Sequence, residues 1–327
     1  MSDLRGKKIL LIAPVFFGYE THIRSELVRR GAIVDYLPDR PFSSPILKAL
    51  IRFAPLLTQP FSNLFFTKRF SGLSNQNYDY LFVIQGESLG PSSLELVKKL
   101  FPNTWSILYL WDSIANKKTT LKKIPFFNRV FSFDRSDAQE YELSYRPLFF
   151  LDTHWKKKVS NQYLLTFIGT AHSDRYRICQ EVRRSIPEGA ASFFYLYLQA
   201  PWVYFIRKLI KPSFWHSSIN EFEFQPLSKD AVDHIFANSF SILDIEHPNQ
   251  RGLTMRTFDV LAKEKKLVTT NSLIKNEDFY SPNNVLIINR EVEVDFNHNF
   301  FKLPFVSLPA FFYEKYSLKG WIDEIFA

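Results

Sequence analysis

The chain of 327 residues is longer than a single hydrophobic core usually supports, which predicts two domains. With 46% hydrophobic and 23% charged residues it has the balance of a soluble globular protein, and no uninterrupted apolar run is long enough to predict a transmembrane helix. The lone Cys179 excludes an internal disulfide and a cysteine-only zinc site, while a net charge of +8 and a pI near 9.3 direct attention to anionic partners.

Taken in chain order, apolar runs of strand length alternate with amphipathic stretches of helix length, the pattern of an α/β protein with parallel sheets. Residues 7–14 read as a buried strand rather than a secretory leader, and Phe16–Glu20 as its exit loop, with Gly18 allowing a tight turn. A helix over 21–30 carries Ile23 and Leu27 on one face and stops at Gly31. Strands are predicted over 32–38, 78–86, 105–113 and 128–134. Helices are predicted over 92–102, with Ser92 or Ser93 as N-cap, and over 137–145. This first Rossmann-like unit ends near residue 150.

The pattern then starts again. Strands are predicted over 164–171, 191–199, 240–246, 265–271 and 283–290. Helices are predicted over 173–185, from 201, over 228–239 with Ser228 as cap, and over 253–264. The expected organisation is a domain of residues 1–150, a second of 151–309, and a C-terminal helix, 310–327, able to pack back on the first domain through Phe312, Tyr316, Ile322 and Phe326. Two Rossmann-like domains facing a cleft would place ligands at the C-terminal ends of the strands.

The most informative stretch is 250–271, where Asp259, Leu261, Ala262, Leu267, Val268 and Thr270 follow one another as acidic residue, small-apolar run and strand ending in threonine. It resembles the donor-binding element of GT-B glycosyltransferases. The resemblance implies a nucleotide-sugar substrate whose ribose hydroxyls are received by Asp259; a carboxylate offers two acceptors to two neighbouring hydroxyls. The chain departs from the common pattern, with Asp in place of Glu, Glu264 in place of Gly and Lys266 in place of Pro. Gly252 and Leu253 stand two residues upstream of the usual pair. Arg256-Thr257-Phe258-Asp259 is similar instead to the Arg-x-Phe-Glu variant of the CgeB-like branch. The other reading of the stretch is an ordinary amphipathic helix feeding a buried strand.

Arg256 precedes Asp259 by one helical turn, so both can approach one ligand, and an arginine at a helix N-terminus suits a diphosphate. The alternative is a surface arginine paired with Asp259. Gly169, Thr170, His172 and Arg175 follow the first strand of the second half and would supply backbone, hydroxyl, imidazole and guanidinium donors to phosphate oxygens. Ser173-Asp174 also reads as a helix cap. Between the last long strand and the Asp259 helix lie Asp244, Glu246, His247, Gln250 and Gly252, where such loops contact the donor sugar. Asp244 and Glu246 also look like a metal-binding pair. The resemblance argues against that, because enzymes of this fold are usually metal-independent; neither a metal nor another cofactor is expected.

In the first half, Glu20, Glu87 and Asp112 each fall just past a strand. Glu20 and Asp112 are the candidates for the general base that deprotonates an acceptor hydroxyl; helix capping or loop hydrogen bonding is the other reading. No nucleic-acid-binding signature accompanies the basic charge. It gathers beside aromatic residues at 45–70 and 201–215, which suits an anionic membrane surface or, equally, helical inserts whose rings are core. The resemblance therefore implies a cytoplasmic transferase acting on a glycan or lipid-linked acceptor in bacterial surface polysaccharide synthesis, peripheral at the inner face of the plasma membrane. The competing reading is a catalytically silent GT-B-like protein that binds glycan or lipid during assembly.

Overall fold

A computed structural model describes residues 3–40, 55–151, 161–291 and 294–327. They form two compact units: residues 1–148 with 315–327, and residues 149–314.

Unit 1 is built on a parallel six-stranded sheet. Its strands are β1 (Lys8–Ala13), β2 (Ile33–Pro38), β3 (Tyr80–Ile84), β4 (Trp105–Leu110), β5 (Arg129–Ser132) and β6 (Ser144–Tyr145), in the order β2-β1-β3-β4-β5-β6. The continuous apolar runs follow from covering both faces of the sheet: Ile9 to Ala13 and Leu81 to Ile84 are all buried. The helices are α1 (Tyr19–Arg29), α2 (Pro55–Gly72), α3 (Pro91–Leu100) and α4 (Arg135–Glu140).

Two local expectations are corrected here. α3 starts from Gly90 with Pro91 at its first position, not from Ser92 or Ser93, because proline's fixed φ suits the first turn; Ser93 is buried and its hydroxyl donates to Asn63. The helix expected over 137–145 is only α4, capped by Asp134, which accepts from the Ser136 N–H. The chain turns at Glu142 (φ 53) into the short edge strand β6. α2 runs through Pro60 with the loss of one backbone donor.

Unit 2 carries a parallel five-stranded sheet of β7 (Tyr163–Thr170), β8 (Ser192–Tyr197), β9 (Ser239–Asp244), β10 (Lys266–Thr269) and β11 (Val285–Ile287), ordered β11-β10-β9-β7-β8. Its helices are α5 (Arg175–Ser185), α6 (Pro201–Ile210), α7 (Lys229–Ala237), α8 (Met255–Ala262), α9 (Asn299–Lys302) and the first part of α10 (Ala310–Tyr316). Ser228 caps α7, its side chain accepting from the Ala231 N–H as its position in the sequence predicts. In both units the first strand lies inside the sheet, with the second strand on one side and the third on the other. The loops leaving β1 and β3, and those leaving β7 and β9, therefore part at a switch point where doubly wound sheets bind ligands.

The C-terminal segment closes unit 1. α11 (Leu318–Ile325), capped by Ser317, buries Trp321, whose ring meets Tyr109 at 4.7 Å and Phe82 at 5.8 Å. Phe326 packs edge-on against Tyr80 and Phe82. Arg30 donates to Asp323 (2.6 Å) and to the Lys319 carbonyl (2.7 Å), and the buried Arg146 pairs with Glu324 at 2.9 Å. Of the four apolar points expected in this tail, Tyr316, Ile322 and Phe326 are buried in unit 1, whereas Phe312 is buried in unit 2 against Phe150 and Phe279.

Of the basic, aromatic stretch 45–70, residues 45–54 lie outside the described residues, Lys48 and Arg52 among them. Within α2, Phe66 and Phe70 are fully buried in the unit 1 core, whereas Phe61 and Leu64 are exposed. Among the described residues no helix is long and apolar enough to cross a membrane.

Candidate functional site

The switch point of unit 2 gathers most of the residues singled out in its sequence. β7 delivers Gly169 and Thr170, and β9 ends on Asp244. Gly169 is required by packing: a Cβ there would meet the Phe167 ring at 2.9 Å. Asp244, almost fully buried, accepts the Thr254 hydroxyl (2.6 Å) and the Thr257 hydroxyl (3.1 Å), tying the start of α8 to the end of β9. With Thr254 so committed, no side chain caps the first turn of α8. The positive end of that helix therefore keeps its capacity for an anion.

Two guanidinium groups converge at this end of the sheet. Arg256, in the first turn of α8, lies 3.8 Å from Asp244 and 6.0 Å from the centre of the Phe167 ring. Arg175, at the start of α5, donates from Nε to the Ile245 carbonyl at 2.6 Å and from Nη1 to the Thr170 carbonyl at 3.4 Å. Burial, and then the charge of Arg256 beside it, push the Arg175 guanidinium down to about 10. Like charges held together in a partly dry setting are a destabilised arrangement that an anion relieves.

The surrounding residues hold the loops in place. Glu246 accepts the Thr270 hydroxyl at 2.5 Å and contacts Arg290, which also bonds both carboxylate oxygens of Asp174; burial raises the Glu246 carboxyl. The His172 and His247 rings lie 5.8 Å apart, His172 Nδ1 pairs with the Ser173 hydroxyl, and His247 Nδ1 accepts the Asn249 N–H. Gln250 donates to the Gly252 carbonyl, which Asn271 also approaches. Asp259, one turn past Arg256, accepts the Leu151 N–H at 3.4 Å. Asp244 and Glu246 thus have hydroxyl and guanidinium partners. Among the described residues no group of three or more His, Cys, Asp or Glu is placed to hold a metal ion.

In unit 1, Glu20 is buried in the first turn of α1, where it accepts the Phe16 N–H at 3.1 Å and lies 3.5 Å from the Thr21 hydroxyl. Asp112 is half-buried, and one carboxylate oxygen accepts from Asn116 at 3.2 Å. Gln85, at φ 59, accepts the N–H groups of Trp111 and Asp112, fixing the loop after β3 to the loop after β4. Around them stand the exposed Phe16 and Phe17, 4.7 Å apart, and the half-buried Trp111, 5.9 Å from Phe16.

A charged cluster at the ends of β2 and β3 is not apparent in the sequence. Asp39 is fully buried, and burial pushes its carboxyl up to about 6. Burial pushes the Lys123 amine down to about 8, and that amine donates to the Gly86 carbonyl. Glu87 bridges Arg40 and Lys117. Asp39-Arg40 directly after a strand was the available signal. The same holds for Arg290, which follows the run ending β11.

No family model matches the chain, and no curated protein sequence matches it. Solved structures do. The apo structure of OtsA aligns with a TM-score of 0.64 at 11% identity, over 98% of this chain and 99% of that one. Anabaena Alr3699/HepE in complex with UDP aligns at 0.58 and 10% identity, over 97% and 98%. A glycosyltransferase from Rickettsia africae ESF-5 aligns at 0.50 and 11% identity, over 88% and 85%. The fold is of the GT-B type. At these identities the likeness establishes architecture, and chemistry has to be argued from the side chains.

Proposed function

We propose that the chain is a glycosyltransferase that binds a nucleotide-sugar in unit 2 and passes its sugar to a glycan or lipid-linked acceptor held by unit 1. The observation that carries this reading is the like-charged pair Arg175 and Arg256 beside the uncapped start of α8, at the switch point of a parallel sheet. A diphosphate would add to the negative charge of Asp244 beside these two cations, and the same cations would stabilise it as a leaving group. Alr3699/HepE, solved with UDP and with UDP and glucose, shares the fold. Phe16, Phe17 and Trp111 offer flat apolar faces to an acceptor beside Asp112, whose carboxylate is the better placed of the two candidate bases because Glu20 is buried in its own loop. The Arg-Thr-Phe-Asp stretch supports the CgeB-like branch and, with it, capsular or lipopolysaccharide synthesis at the inner face of the plasma membrane. The burial of Glu20 also favours the second reading, a silent glycan- or lipid-binding relative. That reading keeps donor or acceptor binding without turnover.

The test is thermal denaturation with a panel of UDP-, GDP-, CMP- and dTDP-sugars. One nucleotide class should raise the melting temperature, because saturation at a hundred times Kd stabilises by about 2.7 kcal/mol. The shift should survive EDTA, since guanidinium groups supply the countercharge. A flat response across the panel removes donor binding, and a shift abolished by EDTA and restored by magnesium transfers the countercharge to a metal. Release of the free nucleotide on adding acceptor separates a transferase from its silent relative.

Asp259→Ala should bind the donor more weakly by about 1.5–3 kcal/mol, the contribution of a charged hydrogen bond, while retaining its far-UV spectrum. Calorimetric titration measures this. Unchanged affinity would remove Asp259 from the donor site.

A further inference from the structure

Helix α6 is turned inside out. Its apolar residues at helical spacing face solvent: Trp202 is 62% exposed, Phe205 56%, Ile206 46% and Leu209 80%. Ile210 and Trp215 extend the same surface. Its polar residues face the body of unit 2. The buried Tyr204 donates to the Ser217 carbonyl, Lys208 donates to Tyr204 Oη and the Ser217 carbonyl, and Arg207 donates to the Ala171 carbonyl. A helix on a water-facing surface has the opposite arrangement, and an apolar face of this size marks an interaction surface.

Charge selects the occupant. No Asp or Glu occurs between Glu188 and Glu221, whereas Arg207, Lys208, Lys211 and His216 lie within that span. Arg207 and Lys208 donate inward to neutral oxygens, while the half-buried Lys211 and the exposed His216 border the C-terminal end of the helix. Apolar aliphatics with tryptophans, bordered by basic residues in a segment without Asp or Glu, match the interface of an anionic bilayer, where rings sit at headgroup level and cations meet phosphates.

We infer that α6 and Trp215 form a docking surface for anionic lipid, by which unit 2 lies on the membrane. This deepens the peripheral attachment proposed above by naming its surface; it rests on that reading for the location and not on sugar transfer. The segment 45–70 is then not needed as the anchor.

The test uses the full chain and vesicles of phosphatidylglycerol or phosphatidylcholine. Wild type should sediment with phosphatidylglycerol and not with phosphatidylcholine, with a blue shift of tryptophan fluorescence. High salt should weaken the binding. Phe205→Glu/Leu209→Glu changes only exposed positions and should lower the partition coefficient at least tenfold while keeping the wild-type spectrum and thermal response to donor. Wild type that stays in the supernatant overturns the inference. So does an unimpaired double variant, which moves the lipid contact elsewhere, and so does equal binding to phosphatidylcholine. A concentration-dependent dimer broken by the same variant, without vesicle binding, assigns the face to a second copy instead. Failure of the donor panel with intact vesicle binding would sink the transferase reading and leave this one standing.

Discussion

An Arg256→Ala variant is expected to bind nucleotide-sugar roughly ten- to a hundredfold more weakly than wild type. A hydrogen bond to a charged group contributes about 1.5–3 kcal/mol, and each 1.4 kcal/mol is about tenfold in affinity. The accompanying behaviour of the free protein is diagnostic. Arg256 stands beside Arg175 and lowers its proton affinity, and its own contact with Asp244 is a long one. Asp244 keeps the Thr254 and Thr257 hydroxyls when Arg256 is removed. The ligand-free variant should therefore melt at or above the wild-type temperature while losing the donor-induced rise. A variant that simply melts lower, with donor affinity intact, would show that Arg256 serves the fold and not the ligand. Arg256→Lys should recover part of the affinity, because it restores charge without the planar fork.

Trp321→Ala should cost unit 1 about 3–5 kcal/mol, as deletion of a buried tryptophan usually does. The ring is fully buried against Tyr109 and Phe82, and the cavity would open between the sheet and α11. For a unit of this size that corresponds to a melting point lower by roughly 10 °C. Scanning calorimetry reads it directly. A change of no more than about 2 °C would mean that α11 is peripheral to the core and that the ion pairs of Arg30 and Arg146 hold it alone.

The fold was legible because both sheets are parallel and buried. Their strands read as unbroken apolar runs, Ile9 to Ala13 or Leu81 to Ile84, and the intervening helices show their period. What failed was short and local. β6 is two residues long, and the start of α3 was decided by Pro91 rather than by the serines after it. The candidate site was legible as a set of segments and not as contacts. The order of residues places Arg175 after one strand and Arg256 after another; only the switch between β7 and β9 brings the two charges together. Asp39 was marked only by its place after a strand and Lys123 by nothing, since burial of a charge is settled by residues distant in sequence. The stretch 201–215 had two readings of equal weight. The direction of Arg207, toward the Ala171 carbonyl, is what turns the aromatic face outward.

The division of unit 1 between two stretches of chain has a consequence during synthesis. Residues 1–148 leave the ribosome first, but their sheet lacks the helix that covers Tyr109 and Phe82 until all of 149–314 has followed. At ordinary translation rates that interval is on the order of ten seconds. Throughout it, unit 2 can complete its own fold, whose segments are contiguous, whereas the earlier-made unit keeps an apolar sheet face open to chaperones and to neighbouring nascent chains. The half of the protein synthesised first is thus the half that finishes folding last.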